Sequence, residues 1–249
     1  MISVLSDMMS YTFIVRAMIV GGLVALCSAL LGVSLVLKRY SMIGDGLSHV
    51  AFAALTIAVA MNVAPLYIST PIVTVAAIIL LRLSENSKIK GDSAIALIST
   101  VSIAIGVVVT ALTKGMNTDV YSYMFGSILA MSESDVYMSI ALSVVVIILF
   151  VFFYNKIFAV TFDESFAKAT GTRADAYNMI IAVLTAITIV VGMRIMGTML
   201  ISSLIIFPAL ISMRNFKTFK SVIICSAIVS VVCFLLGIIL SYLYSIPTG

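Results

Sequence analysis

"IALSVVVIILFVFFY", residues 140 to 154, carries no charge and no alternation of apolar with polar side chains. A strand crossing a membrane as part of a barrel would alternate over segments of roughly ten residues. An unbroken apolar run fits a helix, which satisfies its own backbone hydrogen bonds and so tolerates hydrocarbon on every side. The rest of the chain has the same character. Of 249 residues, 63% are hydrophobic and 10% charged, and the mean hydropathy is +1.27. A soluble domain carries about 25% charged residues. This chain has too little polar surface to cover itself, so lipid is the solvent for most of it. The fold class is all-α, a polytopic membrane bundle.

A span needs about 20 mostly apolar residues, and polar or turn clusters mark the breaks. That rule predicts about eight spans, near 13–36, 42–63, 68–83, 93–113, 136–154, 177–193, 196–213 and 220–244. Residues 120–131 ("VYSYMFGSILAM") are too few to span and precede "SESD", a helix-start pattern, so a short re-entrant or interfacial helix is expected there. Residues 1–249 read as a single membrane domain, with no soluble domain and no cleavable leader; the first helix is expected to serve in targeting.

The basic residues set the orientation. Lys38/Arg39, Arg82/Lys88/Lys90, Lys156/Lys168/Arg173 and Arg214/Lys217/Lys220 hold 11 of the 14. All four clusters fall on the cytoplasmic side if both ends of the chain lie outside and 120–131 enters and leaves by one face. The net charge of +4 thus follows topology and is not a nucleic-acid signal. Cys27, Cys225 and Cys233 lie in apolar runs without metal-type spacing and read as small buried hydrophobes.

Asp45 and His49, the latter the chain's single histidine, sit in "KRYSMIGDGLSHVAFAA" (38–54). Counted from Arg39, they lie about 9 and 15 Å into the second helix, which places His49 near mid-membrane. Residues four apart share a helix face. A carboxylate oxygen and an imidazole nitrogen can therefore converge, as Zn²⁺ and Mn²⁺ accept. Gly44 and Gly46 bracket the aspartate and permit close helix approach. The bland alternative is that the pair only binds neighbouring helices, but ionisable groups are expensive in a membrane and mark function by default.

Two further segments stand out. "VTFDESFAKATGTRADAYN" (160–178) is the longest polar stretch. Phe162, Phe166 and Ala169 can line one face of a short helix there, with Asp163, Glu164 and Lys168 exposed. Thr161 is expected to cap it and Gly171 to stop it. It reads either as an interfacial loop or as a docking helix. "RIMGTMLISSLIIFPALIS" (194–212) puts small and hydroxyl residues into a helix kinked at Pro208, a packing feature before a transport path. Glu133 and Asp135 either attract cations or cap a helix. The sequence contains no GxxxxGK[ST], HExxH or GxSxG, so neither ATP hydrolysis nor intramembrane catalysis is expected of this chain.

The chain resembles the zinc/manganese permease family of ATP-binding-cassette importers, close to the zinc-uptake permeases of bacteria. "KRYSMIGDGLSHVAF" (38–52), "YSYMFGSILAMSESDVY" (121–137) and "MGTMLISSLIIFPALIS" (196–212) carry the resemblance. It implies a homodimeric permease in the bacterial cytoplasmic membrane, bound to two copies of a separate ATPase subunit that holds the ATP. It also implies an extracytoplasmic solute-binding protein that delivers the metal, most naturally Zn²⁺, with Mn²⁺ or iron as alternatives. It makes Asp45 and His49 pathway ligands and 162–171 the coupling helix, with Phe162, Asp163, Glu164, Ala167 and Gly171 facing the ATPase. The chain is expected to bind no cofactor of its own. The rival reading is a proton-coupled secondary transporter using Asp45 and His49 as a relay. Family members generally continue past a Pro-x-Gly turn into another apolar segment, whereas this sequence stops at Pro247, Thr248, Gly249. The span count is therefore open to one more.

Overall fold

The computed structural model describes residues 10–40, 42–86, 91–113, 126, 133–244 and 246. The short helix expected at 120–131 lies outside the described residues, apart from Gly126. Along the described chain run α1 (Thr12–Leu37), α2 (Ile43–Ala60), α3 (Pro65–Asn86), α4 (Gly91–Leu112), α5 (Glu133–Phe152), α6 (Tyr154–Phe162), α7 (Glu164–Ala169), α8 (Ala174–Asn215) and α9 (Phe219–Tyr244). No strand occurs among the described residues. Seven of these helices are long and apolar enough to cross a membrane.

The expected eight crossings are reconciled with seven helices by α8. Its 42 residues contain one non-helical position, Gly197, at φ 81° and ψ 168°. Only glycine adopts that region without strain. Contacts with α1 show that the chain doubles back there. Near its start, Asn178 accepts a hydrogen bond from Lys38 at the foot of α1. Fourteen residues later Gly192 lies against Val24, fourteen residues back along α1, and also against Ile201 beyond the break. Ile205 in the returning arm then packs its carbonyl on Gly32, where a Cβ would come within 2.0 Å of that oxygen. The first arm therefore runs antiparallel to α1 and the second parallel to it. Gly32 is required because backbone meets backbone.

The described helices form an inner and an outer layer. In α1, α2 and α8, 72% of the most apolar window is buried, against 17–33% in α3, α4, α5 and α9. α1 packs most extensively on α8 and also on α9 and α5, while α2 packs on α4, α3 and α8. Outer faces such as Leu97, Val101, Ile105, Val108 and Leu112 of α4 stay apolar and exposed, as lipid contact requires. Cys27 is buried as expected, but Cys233 is exposed on an outer face and Cys225 is half-buried. Hydroxyls tie helix to helix, Ser230 donating to the Ala25 carbonyl at 2.8 Å.

Described members of the basic clusters lie at one end of the bundle. Lys38 reaches α7 and α8. Leu81, beside Arg82, lines the same small cavity as Lys38, and Lys217 lines a groove with Leu37 and Phe162. At the other end Arg16 pairs with Glu133 at 2.6 Å and Arg194 with Asp135 at 2.7 Å. Two of the three basic residues left outside the clusters thus meet the two acidic residues in the first turn of α5.

Candidate functional site

α2 starts shortly after α1 ends. The C-terminus of α1 closes with Tyr40 N–H donating to Leu35 O at 2.8 Å and Arg39 N–H to Val36 O at 3.1 Å. Arg39 takes the left-handed φ of 62°. These two bonds are the double C-terminal closure of a Schellman turn. Ile43 N–H then bonds to Tyr40 O at 3.0 Å, tying the start of α2 to that turn.

Asp45 is the third residue of α2 and His49 the seventh. By helical rise His49 stands about 4 Å short of the helix midpoint. Asp45 Oδ2 lies 3.6 Å from His49 Nε2, and both side chains are partly exposed. That separation is too long for a hydrogen bond. It is close to the about 3.3 Å between two ligands of a tetrahedral ion held at 2.0–2.1 Å. The two groups face each other across a gap that one ion could bridge.

The flanking glycines define which way the pair faces. A Cβ on Gly44 would lie 3.3 Å from Ile205 on the returning arm of α8, and one on Gly46 would lie 2.7 Å from Ile95 on α4. Asp45 and His49 occupy the sector between those two contacts. Leu47, on the opposite side of α2, is fully buried. Among the described residues no three His, Cys, Asp or Glu side chains gather into one metal-sized group. One carboxylate and one imidazole do not by themselves fill a coordination sphere.

The predicted docking segment is a helix, with one correction. Its N-cap is Asp163, whose Oδ1 accepts from Phe166 N at 2.9 Å, and not Thr161. Thr161 stays inside α6, where Phe162 stacks with Phe158 and Phe219 and carries the helix one residue further. Ala167 is buried against Val160 and Ala174. Gly171, at φ 81°, ends α7, with Thr172 N–H donating back to Ala167 O. Phe162 and Phe166 remain largely exposed.

Glu164 was expected to be exposed, but it turns inward. It accepts hydrogen bonds from Lys38 Nζ at 3.1 Å and Asn178 Nδ2 at 3.1 Å, and Lys168 approaches its other oxygen at 3.0 Å. Partial burial pushes its carboxyl upward, but the bonds from Asn178, Lys168 and Lys38 outweigh this and hold it down at about 2. Lys168 also meets Asp175 at 2.9 Å, and the two carboxylates raise its ammonium above the ordinary lysine value. Lys38 was read from sequence only as a member of a basic cluster, and Asn178 was not singled out. The one available signal for Asn178 was an amide at the start of a long apolar run.

Residues 10–249 match the family model described as the ABC 3 transport family. The high-affinity zinc uptake system membrane protein ZnuB of Haemophilus influenzae is 29% identical over 94% of this chain and 89% of its own length. The manganese transport system membrane protein MntC of Halalkalibacterium halodurans is 25% identical over 98% of this chain and 83% of its own. Among solved structures, PsaBC from Streptococcus pneumoniae in complex with Fab superposes with a TM-score of 0.88 at 26% identity, covering all of this chain and 90% of that one.

Proposed function

The chain belongs to the ABC 3 transport family, and from that premise we propose that it is the membrane permease of an ATP-driven importer of divalent transition metal, with zinc as the transported ion. The observation that carries the proposal is the Asp45–His49 pair, spaced for a shared ion on a half-open face of α2. Asp45 contributes a carboxylate oxygen and His49 a neutral imidazole nitrogen, replacing part of the hydration shell. The remaining ligands come from water, other helices or a second copy of the chain across a homodimer. ATP binding and hydrolysis occur on a separate subunit, two copies per dimer, that meets Phe162 and Phe166 beside α7. A solute-binding protein delivers the ion at the opposite face, the end that carries Arg16 and Arg194. The setting is a bacterial cytoplasmic membrane.

A second reading keeps the same machinery and transports manganese. The likeness to a manganese permease favours it, and mixed nitrogen–oxygen sites accept both ions, since raw affinity rarely sets selectivity. The test is uptake of competing Zn²⁺ and Mn²⁺ by proteoliposomes holding permease, ATPase and binding protein. Preferential zinc uptake, lost in an assembled D45A/H49A complex, is the expected result. Preferential manganese uptake would overturn the ion. Undiminished uptake by the double variant would overturn the ligands.

A further inference from the structure

The part-buried knot around Lys38 lies between the two parts of the molecule that the proposed function must connect. Lys38 caps α1, and its side chain is 9% exposed. Its ammonium is shared between Glu164, the first residue of α7, and Asn178 in the first arm of α8. Asn178 in turn donates to Glu164, so the three groups form a closed triangle. One residue beyond Lys38, the double-bonded turn at Arg39 and Tyr40 leads straight into α2.

The packing around the triangle is close to solid. The cavity bounded by Lys38, Tyr40, Ile43, Leu47, Asn178 and Thr185 measures about 10 Å³. That is at the lower limit for one water molecule. Ile43 and Leu47 form the inner face of α2, and Asp45 and His49 lie across the helix from Leu47. The packing leaves little void here to absorb a displacement of α7, which would act on Lys38 and through it on the start of α2. Close-packed interiors transmit strain in this way.

We infer that the Lys38–Glu164 ion pair is a positioning link that carries motion of α7 to the Asp45–His49 helix and so ties metal movement to ATP hydrolysis. This rests on the proposed role of α7 as the surface that meets the ATPase. The link is electrostatic and directional. Its two ends belong to elements 126 residues apart, so cutting it separates α7 from α2 without touching either the ATPase-facing aromatics or the metal ligands.

The experiment uses the reconstituted complex of permease, ATPase and binding protein with Zn²⁺. It compares native protein with Glu164→Gln, Lys38→Met and the exchanged pair Lys38→Glu/Glu164→Lys. Three quantities are read: copurification of the ATPase, ATP hydrolysis, and metal imported per ATP. The expected result is normal copurification and continued hydrolysis in E164Q. Metal per ATP should fall by at least about fivefold, the lower end of usual site-to-site coupling, and recover in part in the exchanged pair. An unchanged metal-to-ATP ratio in assembled E164Q overturns the inference, as does a proportional fall of uptake and hydrolysis. E164Q is nearly isosteric, so it decides the question alone if Lys38→Met fails to assemble. Failure of the underlying reading looks different: Phe166→Ala would then leave the ATPase bound as before.

Discussion

Arg194 Nη1 stands 2.7 Å from Asp135 Oδ2, with both side chains nearly nine-tenths buried. The pair pins the start of α5 to the first arm of α8, three residues before the break at Gly197. Removing one partner breaks a largely buried ion pair, so Asp135→Ala should destabilise by about 3 kcal/mol. Replacing both by apolar side chains, as D135L/R194M, should lose less because neither charge then has to be desolvated. Thermal unfolding in detergent checks the order, and a milder loss in Asp135→Ala than in the double variant would contradict it.

Gly197 separates backbone requirement from mere proximity. At φ 81° and ψ 168° an alanine is strained whatever the space around it, and Gly197→Ala should lose about 1–3 kcal/mol. Gly126 rests on the same break, its missing Cβ facing Ile195 O at 2.5 Å, so Gly126→Ala should destabilise as well. Gly22 has open space around it within a regular helix. Gly22→Ala should be neutral, or stabilising by up to about 1 kcal/mol. Unfolding midpoints of the three variants, measured side by side, give the comparison.

Much of this architecture was legible because its causes are local. Apolar runs announce spans, lysines and arginines announce the side, and the Asp45–His49 spacing follows from the helix period alone. The break in α8 was visible as Arg194 between two apolar stretches, but the return of the second arm depends on Gly32 meeting Ile205, which no local pattern encodes. Lys38 looked like an ordinary anchor because its partners lie 126 and 140 residues away. The misplaced cap has the same origin: α6 runs on to Phe162 because that ring stacks on Phe219 from another helix. Cys233 shows a different limit. An apolar run reads alike whether it faces protein or lipid, so its exposed position carried no sequence signature.

The anchoring of α7 should depend on pH at both extremes. Glu164 has its carboxyl depressed to about 2 from an ordinary 4.5. Its contribution is therefore complete above the ordinary value and is lost as pH falls from 4.5 towards 2. Lys168 is raised from 10.5, so its contribution is complete below 10.5 and is lost as pH climbs past that value. Glu164 is about a third exposed, and solvent screening keeps its effect well below what the shift alone implies. Hydrogen exchange across 163–175 should show a protected plateau between the two limits. In E164Q the acid limb should vanish, and an acid limb that survives would assign it to another group.

Phe166 offers the cleanest separation of assembly from folding. Its ring is 66% exposed, whereas Phe162 stacks against Phe158 and Phe219. Truncating an exposed ring away from the core should change stability by no more than about 0.5 kcal/mol. If the ring fills a pocket on the ATPase subunit, the same truncation should weaken association by about 2 kcal/mol or more, as buried aromatic anchors do. That is roughly a thirtyfold rise in Kd. Phe162→Ala should show both effects, since it also removes one of the three α6 rings, with Tyr154 and Phe158, that stack on Phe219 of α9. Binding of the purified ATPase to each variant, set beside its unfolding midpoint, distinguishes the two. Unchanged affinity in F166A would remove this ring from the interface, while a lowered midpoint would give it a packing role within the permease.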